Sequence, residues 1–401
     1  MALTVGLKGI NLTCAGKQVT TAFKSCSQSK LNPFFLIPSK NYMFGPHLKD
    51  PDYKRAPPFP YETKNYGLFQ RMFEGTTWRF DDNTKLIIID GPPAVGKTEL
   101  AKNLALGFDM KHMEDATMDQ LYINSYGHDF RDYNDQLPED LRSFDEKDFC
   151  QNPKGWNAAF FQVMKYKIRY SNYIDALTHI LNTGQGVVME RSPYSDYAFA
   201  EAMLRNGFMS KKAFWVYTEI RRHTLWNLMK PHAVIYLDIP VPVVQQRIKE
   251  RGLPHEKNSP ALNEKFLSDL DNSYKTVLEG MKDDAEVLVY DWTEFGDHEV
   301  VIEDLEKVDF DKYTSHSQGK FKDWRLNKEK DYCDIRTKYT NHKMRIMTCF
   351  NLPIFDAPEL INSGADEEHE RGGWLLEGYN EHLGDTGIFW KTKIQKDKQI
   401  W

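Results

Sequence analysis

The chain has 401 residues, an apolar fraction of 41%, a charged fraction of 27% and a formal net charge of −6. These values are typical of a globular protein with a well-solvated surface, large enough for one main domain with extensions or for two domains. Lys and Arg are scattered among Asp and Glu, which argues against nucleic-acid binding, and the apolar runs are too short to span a membrane. Five widely spaced cysteines form neither a zinc motif nor a disulfide framework, which favours a reducing compartment.

The first 49 residues differ in composition from the rest. They contain Lys, Ser and Thr but no Asp or Glu before Asp50. Acidic residues are avoided in organelle import segments, because such segments must form a basic amphipathic helix. We therefore expect residues 1–40 to be an import segment, although the absence of arginine leaves a flexible tail as the alternative. Residues 41–83 include a stretch dense in Pro, Tyr and charge, which predicts an extended arm.

A compact α/β domain is expected over residues 84–297. Short β-branched runs alternate there with helical patterns such as TELAKNLALGF and VPVVQQRIKERG. That alternation is typical of βαβ units, in which helices cover a parallel sheet. Strands are predicted within KLIIID, QGVVMER, HAVIYLDI and AEVLVY, and FDMKHME provides a fifth.

The stretch KLIIIDGPPAVGKTELAKNLA contains the pattern G-x-x-x-x-G-K-S/T between a predicted strand and a predicted helix. This is the placement of a phosphate-binding loop, because backbone N–H groups and the helix N-terminus then point at phosphate oxygens. Lys97 is expected to reach the distal phosphates and Thr98 to hold Mg²⁺. The alternative is a strand–turn–helix corner with a fortuitous lysine. The predicted nucleotide-binding residues are Gly91, Ala94, Val95, Gly96, Lys97 and Thr98.

Glu190 and Arg191, in MERSPYSDYAF, follow the predicted strand GVV. Groups at the carboxyl end of a strand lie in the crevice where open parallel sheets bind ligands. Glu190 is a candidate ligand for Mg²⁺ or its water, and Arg191 is a candidate for bidentate pairing with phosphate. The alternative is a solvated surface pair.

Arg247 and Arg251 lie four residues apart at the end of a predicted helix in QQRIKERGLPHEKN. Two guanidiniums on one helix face, followed by a loop with Gly and Pro, are suited to clamping a transferred phosphoryl group. Taken alone, the pair is equally typical of an exposed basic helix end.

The pattern weakens after about Asp297 into mixed charged and aromatic segments. A tail rich in Trp and Tyr but poor in long periodic segments predicts packing on something else rather than an independent core. We therefore expect residues 298–401 to be a C-terminal extension that packs on partner subunits.

Taken in chain order, these motifs resemble the deoxyribonucleoside kinase family. The resemblance implies a P-loop NTPase-like fold, with a parallel five-stranded sheet flanked by helices, a helical substrate pocket and an arginine lid. FFQVMKYKIRY is similar to the helix in which a Gln reads the base and an Arg seven residues later supports the catalytic carboxylate. The nucleoside-binding residues that the resemblance implies are Gln162, Arg169, Asp196 and Glu256.

The sequence departs from that family at two catalytic positions. The family's general base is the Glu of an EPxxxW-like stretch, and the nearest candidate, Glu114, lies in MEDATMDQLY without the Pro or Trp. The lid carries Leu253 where a further Arg is usual. Loss of one arginine contact lowers phosphoryl-transfer rates by about 10³-fold or more, so activity can fall without loss of binding. The implied catalytic residues are Glu114, Arg191, Arg247 and Arg251.

A second resemblance covers more of the chain. LNTGQGVVMERS, PHAVIYLDIPVPVVQQRI and the PHE of the lid are similar to a family of kinase-like accessory subunits of mitochondrial respiratory complex I. The likeness runs from about Pro57 to the C-terminus. It implies a non-redox subunit, peripheral to the inner membrane on its matrix side, with other complex I subunits as partners and residues 1–40 as a transit peptide.

The identity of the bound cofactor is the point on which family description and sequence differ. Descriptions of the accessory subunits sometimes include FAD. No G-x-G-x-x-G follows a strand in this chain, and its phosphate loop is of the mononucleotide type. The sequence therefore favours a bound nucleotide, ATP, ADP or a deoxynucleotide, together with Mg²⁺.

Three functions remain open on the sequence. The first is an accessory subunit whose nucleotide-binding core contributes to the assembly or stability of complex I. The second is an active mitochondrial deoxyribonucleoside kinase that transfers phosphate from ATP. The third, a free nucleoside monophosphate kinase of the matrix, accounts for the phosphate loop but not for the aromatic tail. In none of them does this chain itself catalyse NADH:ubiquinone electron transfer.

Overall fold

The computed structural model describes residues 43–45, 54–123, 127, 129–137, 142–310, 312, 319–352 and 356–361. All of them belong to one compact unit, Ser39–Trp401. The predicted import segment and the last part of the predicted extension, residues 362–401, lie outside the described residues. Within the described part, no helix is both long and apolar enough to cross a lipid bilayer.

A five-stranded parallel sheet forms the centre of the molecule, which confirms the predicted α/β fold. Its strands are β1 (Leu86–Asp90), β2 (Lys111–Met113), β3 (Val187–Glu190), β4 (Ala233–Asp238) and β5 (Glu286–Asp291). Their order across the sheet is β2-β3-β1-β4-β5. β1 and β3 are buried along their whole length, because helices cover both faces of a parallel sheet, and their sequences are accordingly continuous apolar runs.

Helices connect the strands and cover both faces of the sheet. The described α-helices are α1 (Leu68–Phe73), α2 (Lys97–Phe108), α3 (Asp119–Tyr122), α4 (Glu146–Gln151), α5 (Ala158–Thr183), α6 (Tyr197–Arg205), α7 (Lys211–Leu225), α8 (Val241–Arg251), α9 (Pro254–Lys257), α10 (Glu264–Met281), α11 (His298–Glu306), α12 (Glu329–Asn341) and α13 (Lys343–Met347). The longest of these, α5, packs against β1, β3, α7 and α12. Burial on so many sides explains why its polar residues need partners inside the protein.

The predicted arm and the described part of the predicted extension both pack on this chain's own core. In the arm, the backbone N–H of Phe59 donates to the carbonyl of Asn182 at the end of α5. In the extension, α12 lies along α5, and the Tyr339 hydroxyl donates to the carbonyl of Asn227 over 2.6 Å. The extension therefore holds a regular 13-residue helix that the weak periodicity did not predict. Packing of this region on partner subunits stays a prediction.

Candidate functional site

A cavity of about 620 Å³ opens at the carboxyl ends of β1 and β3. Its walls come from the loop between β1 and α2, the central part of α5, the end of α8 and the start of α10. Open parallel sheets bind their ligands at this edge, next to the point where the strand order reverses. The three motifs predicted from the sequence therefore meet in one place.

The loop Gly91–Gly96 wraps back so that α2 begins at Lys97 and points its N-terminus into the cavity. Gly96 has a φ of +93°, a backbone conformation that side chains disfavour, and a Cβ there would lie 3.0 Å from the Phe295 ring. The Lys97 ammonium donates to the carbonyls of Gly91, over 3.2 Å, and Pro92, over 2.7 Å. Burial, reinforced by the nearby charge of Arg191, holds the pKa of Lys97 well below its ordinary value. A phosphate anion at this loop would relieve both effects.

Thr98 and Glu190 place two oxygen ligands beside the phosphate loop. The Thr98 hydroxyl donates to Glu190 Oε2 over 2.7 Å, and Glu190 Oε1 lies 2.9 Å from His112 Nε2. Mg²⁺ prefers such hard oxygen ligands and completes its shell with water and substrate phosphates. Among the described residues, no group of three or more His, Cys, Asp or Glu side chains could hold a metal ion alone. The residues therefore fit a Mg²⁺ that arrives with a nucleotide.

Asp115 is a carboxylate that lines the cavity. Arg169 donates to it from Nε over 3.0 Å and from Nη2 over 3.2 Å, and Arg191 donates from Nη1 over 2.7 Å. Burial alone would raise the pKa of Asp115, but these two guanidiniums overcome that effect and hold the pKa well below its usual range. Arg191 adopts a left-handed backbone, with a φ of +58°, which stores strain at the site.

A buried carboxylate behind the cavity wall holds two of the predicted nucleoside-binding residues. Asp196, only 1% exposed, accepts a hydrogen bond from Gln162 Nε2 over 2.9 Å and one from the Tyr217 hydroxyl over 2.6 Å. It also forms an ion pair with Arg169. The structure thus brings Gln162 and Arg169 to the cavity and places Asp196 as the group that orients them.

The far end of the cavity is aromatic. The rings of Phe149 and Phe161 stack with centroids 5.4 Å apart, and Phe266 lies beside Phe149. Among these rings, the buried ammonium of Lys165 donates to Glu146 Oε1 over 2.7 Å and also contacts the carbonyl of Ala116. Flat aromatic surfaces next to a few polar groups are suited to a planar base.

The two predicted lid arginines lie in the cavity wall with different partners. Arg247 donates to the carbonyl of Trp292 over 2.9 Å and of Thr293 over 3.0 Å, and its guanidinium lies 4.0 Å from the centre of the Phe295 ring. Arg251 forms an ion pair with Glu256. Arg247 also donates from Nη1 to the carbonyl of Val95 in the phosphate loop over 3.4 Å, and neither guanidinium forms an ion pair with Asp115.

Glu114, the predicted base, is not in the cavity. Its side chain is 72% exposed and lies 3.8 Å from Lys102 on the outside of α2. Successive side chains point to opposite sides of an extended chain, so when Asp115 points inward, Glu114 points outward. Asp115 was not predicted from the sequence, because MED offers two adjacent carboxylates just after β2. The prediction that Glu190 and Arg191 leave the strand towards the cavity agrees with the geometry, since Glu190 is only 4% exposed.

The fold and this arrangement define a class of protein. The profile of the deoxynucleoside kinase family matches residues 87–323, which is more than half of the chain. The chain therefore belongs to the deoxynucleoside kinase family, and the resemblance to that family seen in the sequence is confirmed.

Similarity to individual proteins extends beyond the kinase core. Subunit 10 of the mitochondrial NADH dehydrogenase (ubiquinone) 1 alpha subcomplex of Bos taurus is 34% identical, over 79% of this chain and 90% of the bovine protein. Its counterpart in Mus musculus is 35% identical, over 81% of this chain and 90% of the mouse protein. A deoxyguanosine kinase of Dictyostelium discoideum is 29% identical, over 67% of this chain and 85% of that kinase. The second resemblance predicted from the sequence is confirmed as well.

Proposed function

We propose that this chain is an accessory, non-redox subunit of the mitochondrial NADH dehydrogenase, complex I. It lies on the matrix side, and its partners are other subunits of that complex. The observation that carries this proposal is the likeness to the bovine and mouse alpha subcomplex subunits, which extends over 90% of each relative and thus beyond the kinase core.

The cavity of this subunit binds a nucleotide, ATP, ADP or a deoxynucleotide, together with Mg²⁺. Lys97 and the amides from Ala94 to Thr98 hold the phosphates, while Thr98 and Glu190 hold the metal ion. Mg²⁺, when bound, neutralises charge on the phosphate oxygens. A flavin forms no part of the proposal, because the loop after β1 is a lysine-bearing mononucleotide loop rather than a dinucleotide-binding turn.

A second candidate function is phosphoryl transfer to a deoxynucleoside. The observation that favours it is the position of Asp115, whose carboxylate lines the same cavity as Lys97 and the aromatic base site. Asp115 would accept the proton of the sugar hydroxyl as that oxygen attacks the terminal phosphorus of ATP. The bond from that phosphorus to the bridging oxygen would break and ADP would leave, while Arg191 would stabilise the transferred group. Two guanidiniums make Asp115 a weak base, and Leu253 supplies no guanidinium, so any turnover is slow.

One experiment tests the accessory role and the nucleotide binding. Complex I would be purified from cells that carry the wild-type chain, the Lys97→Ala variant or the Lys102→Ala variant, and the nucleotides released on denaturation would be identified by mass spectrometry. Lys102 is the matched control, because it lies on the same helix and its side chain is 54% exposed. We expect one nucleotide per chain in the wild type and in Lys102→Ala, and none in Lys97→Ala.

The possible outcomes separate the proposals. Absence of the wild-type chain from the purified complex would remove the accessory role. Presence of the chain without any nucleotide would leave the accessory role and remove the binding role. If nucleotide is present, an assay with radiolabelled ATP and each deoxynucleoside decides whether the second function exists.

A further inference from the structure

An exposed apolar surface on α1 has no part in the nucleotide site. Leu68, Phe69, Met72 and Phe73 are each between 72% and 78% exposed, and no residue of this helix is buried. At about 100° per residue, these four side chains cover one face of the helix roughly 140° wide. The polar residues of α1 point elsewhere. A short helix with this composition would normally turn its apolar face inward.

Trp78 extends this surface beyond the end of the helix. Its side chain is 70% exposed, and the ring lies so close to Gly75 that a Cβ on that glycine would be 2.7 Å from it. The five residues together form what we call the α1 patch: Leu68, Phe69, Met72, Phe73 and Trp78. No described residue covers it to any large extent.

Polar contacts with α12 hold the α1 patch facing outward. Before the helix, the backbone N–H of Tyr66 donates to Asn341 Oδ1 over 3.1 Å, and Asn341 Nδ2 donates to the carbonyl of Tyr66 over 2.8 Å. Within the helix, Arg71 forms an ion pair with Asp334. After it, the Thr77 hydroxyl donates to Glu329 over 2.5 Å. These contacts fix the helix along the whole length of α12, so the patch is a rigid, preorganised surface rather than a loose end.

The size of the patch is that of an interface. Aromatic side chains carry about 150–250 Å² of accessible surface each, so five large apolar side chains exposed to this degree present roughly 700 Å². The largest apolar patch on a typical monomer is about 300–600 Å², whereas a stable interface buries about 800 Å² on each partner. The α1 patch is therefore larger than the usual apolar patch of a monomer and approaches the area that one partner contributes to a stable interface.

We infer that the α1 patch docks into an apolar groove on a neighbouring protein subunit. The inference rests on the proposed function, which places this chain in a multi-subunit assembly. A projecting helix face with anchors at i, i+1, i+4 and i+5 fits a groove, as in other helix-in-groove interfaces. A second copy of the chain would offer only another projecting face.

The charges next to the patch distinguish a protein groove from a lipid surface. Helices that lie on membranes carry an excess of Lys and Arg for anionic headgroups. Here Arg71 is paired with Asp334 and Arg79 with Glu74, so the cations beside the patch are already neutralised. Recognition must therefore come from apolar contact, which a groove lined by apolar side chains supplies.

Site-specific crosslinking in the intact complex tests this inference. A photoreactive phenylalanine derivative would replace Phe69 in the full chain, expressed in cells that lack their own copy. The control position is Leu106 on α2, which is 81% exposed but stands outside the patch. We expect position 69 to crosslink to an apolar segment of one other subunit and position 106 not to reach that segment. Crosslinks to a second copy, to lipid, or to residues 362–401 of the same chain would overturn the inference, as would no crosslink at all.

Incorporation of variants provides the second measurement. Phe69→Ser with Phe73→Ser should lower the amount of chain in the purified complex at least about ten-fold, since interface anchors of this kind dominate binding. Leu106→Ser should leave it at the wild-type level. Neither variant should change the thermal unfolding midpoint of the isolated chain by more than a surface substitution does. Equal incorporation of the wild type, the double variant and Leu106→Ser would refute docking through the α1 patch but leave the proposed function in place. Absence of the wild type from the complex would refute the proposed function as well.

Discussion

Arg191 donates a hydrogen bond of 2.7 Å from Nη1 to Asp115 Oδ2, and this contact joins the end of β3 to the segment after β2 across the cavity. Arg169 approaches the same carboxylate from α5. Two cations therefore converge on one anion at the point where the phosphate loop and the aromatic base site meet. The side chain of Asp115 is 21% exposed, so the group is largely removed from solvent without being sealed.

Asp115→Asn is expected to destabilise the protein, whereas Glu114→Gln is not. The first change removes the carboxylate that two guanidiniums share, and breaking a largely buried ion pair costs about 3 kcal/mol. The second change affects a side chain that is 72% exposed, where single substitutions cost within about 0.5 kcal/mol. Urea unfolding at pH 7 measures both. Equal losses of stability for the two variants would contradict the placement of Asp115 at the centre of the site.

Asp90 makes the stability of the protein depend on pH in a defined direction. It is fully buried, its Oδ1 accepts from Ser195 over 2.8 Å, and no described donor reaches its Oδ2. Burial raises its pKa from 3.8 to about 6. The pKa of Asp90 is higher in the folded state than in the unfolded state. Its contribution to the free energy of unfolding is therefore fully present below about pH 4 and is lost as pH rises through 6. At about 1.4 kcal/mol per pKa unit, the loss is about 2–3 kcal/mol.

The test compares wild type with Asp90→Asn at pH 5 and pH 7.5. The difference between the two chains isolates Asp90, because the other titrating groups, such as His179, are present in both chains and cancel. Burial lowers the pKa of His179 to about 4, so its contribution is lost as pH falls below 6.5. We expect the stability of Asp90→Asn, relative to wild type, to rise between pH 5 and pH 7.5. A difference that does not change with pH would show that Asp90 keeps an ordinary pKa.

Gly96→Ala should destabilise the phosphate loop through the backbone rather than through a clash. A left-handed φ costs an alanine about 1–2 kcal/mol. The nearest obstacle is the Phe295 ring, which is 70% exposed and needs to shift by only a few tenths of an ångström, although it also contacts the Arg247 guanidinium. Phe295→Ala should therefore fail to restore stability to Gly96→Ala. Unfolding of the two single variants and the double variant measures this, and full rescue in the double variant would assign the cost to the ring.

The sequence alone predicted those site residues whose role depends on their neighbours along the chain. The phosphate loop needs Gly96 and Lys97 in one turn between a strand and a helix, so spacing alone located it. Asp115 was missed because its role depends on which of two adjacent carboxylates points inward, and that is decided by the path of the chain after β2. Lys165 and Glu146 were missed because they meet only when α4 packs on α5, and a lone buried lysine leaves no mark in a sequence.

The same limit applies outside the site. Continuous β-branched runs predicted β1 and β4, because both faces of a parallel strand are buried. The three-residue strand β2 could be predicted only from its position after α2. The packing of α12 on α5 was not predictable. The sequence of α12 is mostly charged, and its few buried residues, such as Cys333 and Tyr339, form no clear apolar pattern.

Arg336 provides a test of what holds the arm on that helix. It is fully buried, its Nε donates to Asn182 Oδ1 over 2.8 Å, and its guanidinium lies 3.8 Å from the centre of the Tyr66 ring and 5.0 Å from that of Phe59. Within the described residues, neither Nη1 nor Nη2 donates a hydrogen bond, although Nη2 lies 3.9 Å from Glu74 Oε2. Burial lowers the pKa of this guanidinium.

The favourable and unfavourable effects of the Arg336 charge on the free energy of unfolding are therefore similar in size. The stability of Arg336 variants then depends mainly on how well the new side chain fills the space. Contact with the aromatic rings is worth about 2 kcal/mol, while buried N–H groups without acceptors cost about 1–3 kcal/mol. Arg336→Met, which keeps the volume, should unfold within about 1 kcal/mol of wild type, whereas Arg336→Ala should lose about 3–5 kcal/mol through the cavity that it leaves. Urea unfolding, with hydrogen exchange of residues 54–66, measures the pair. If both variants lost the same stability, the charge rather than the packing would hold the arm on α12.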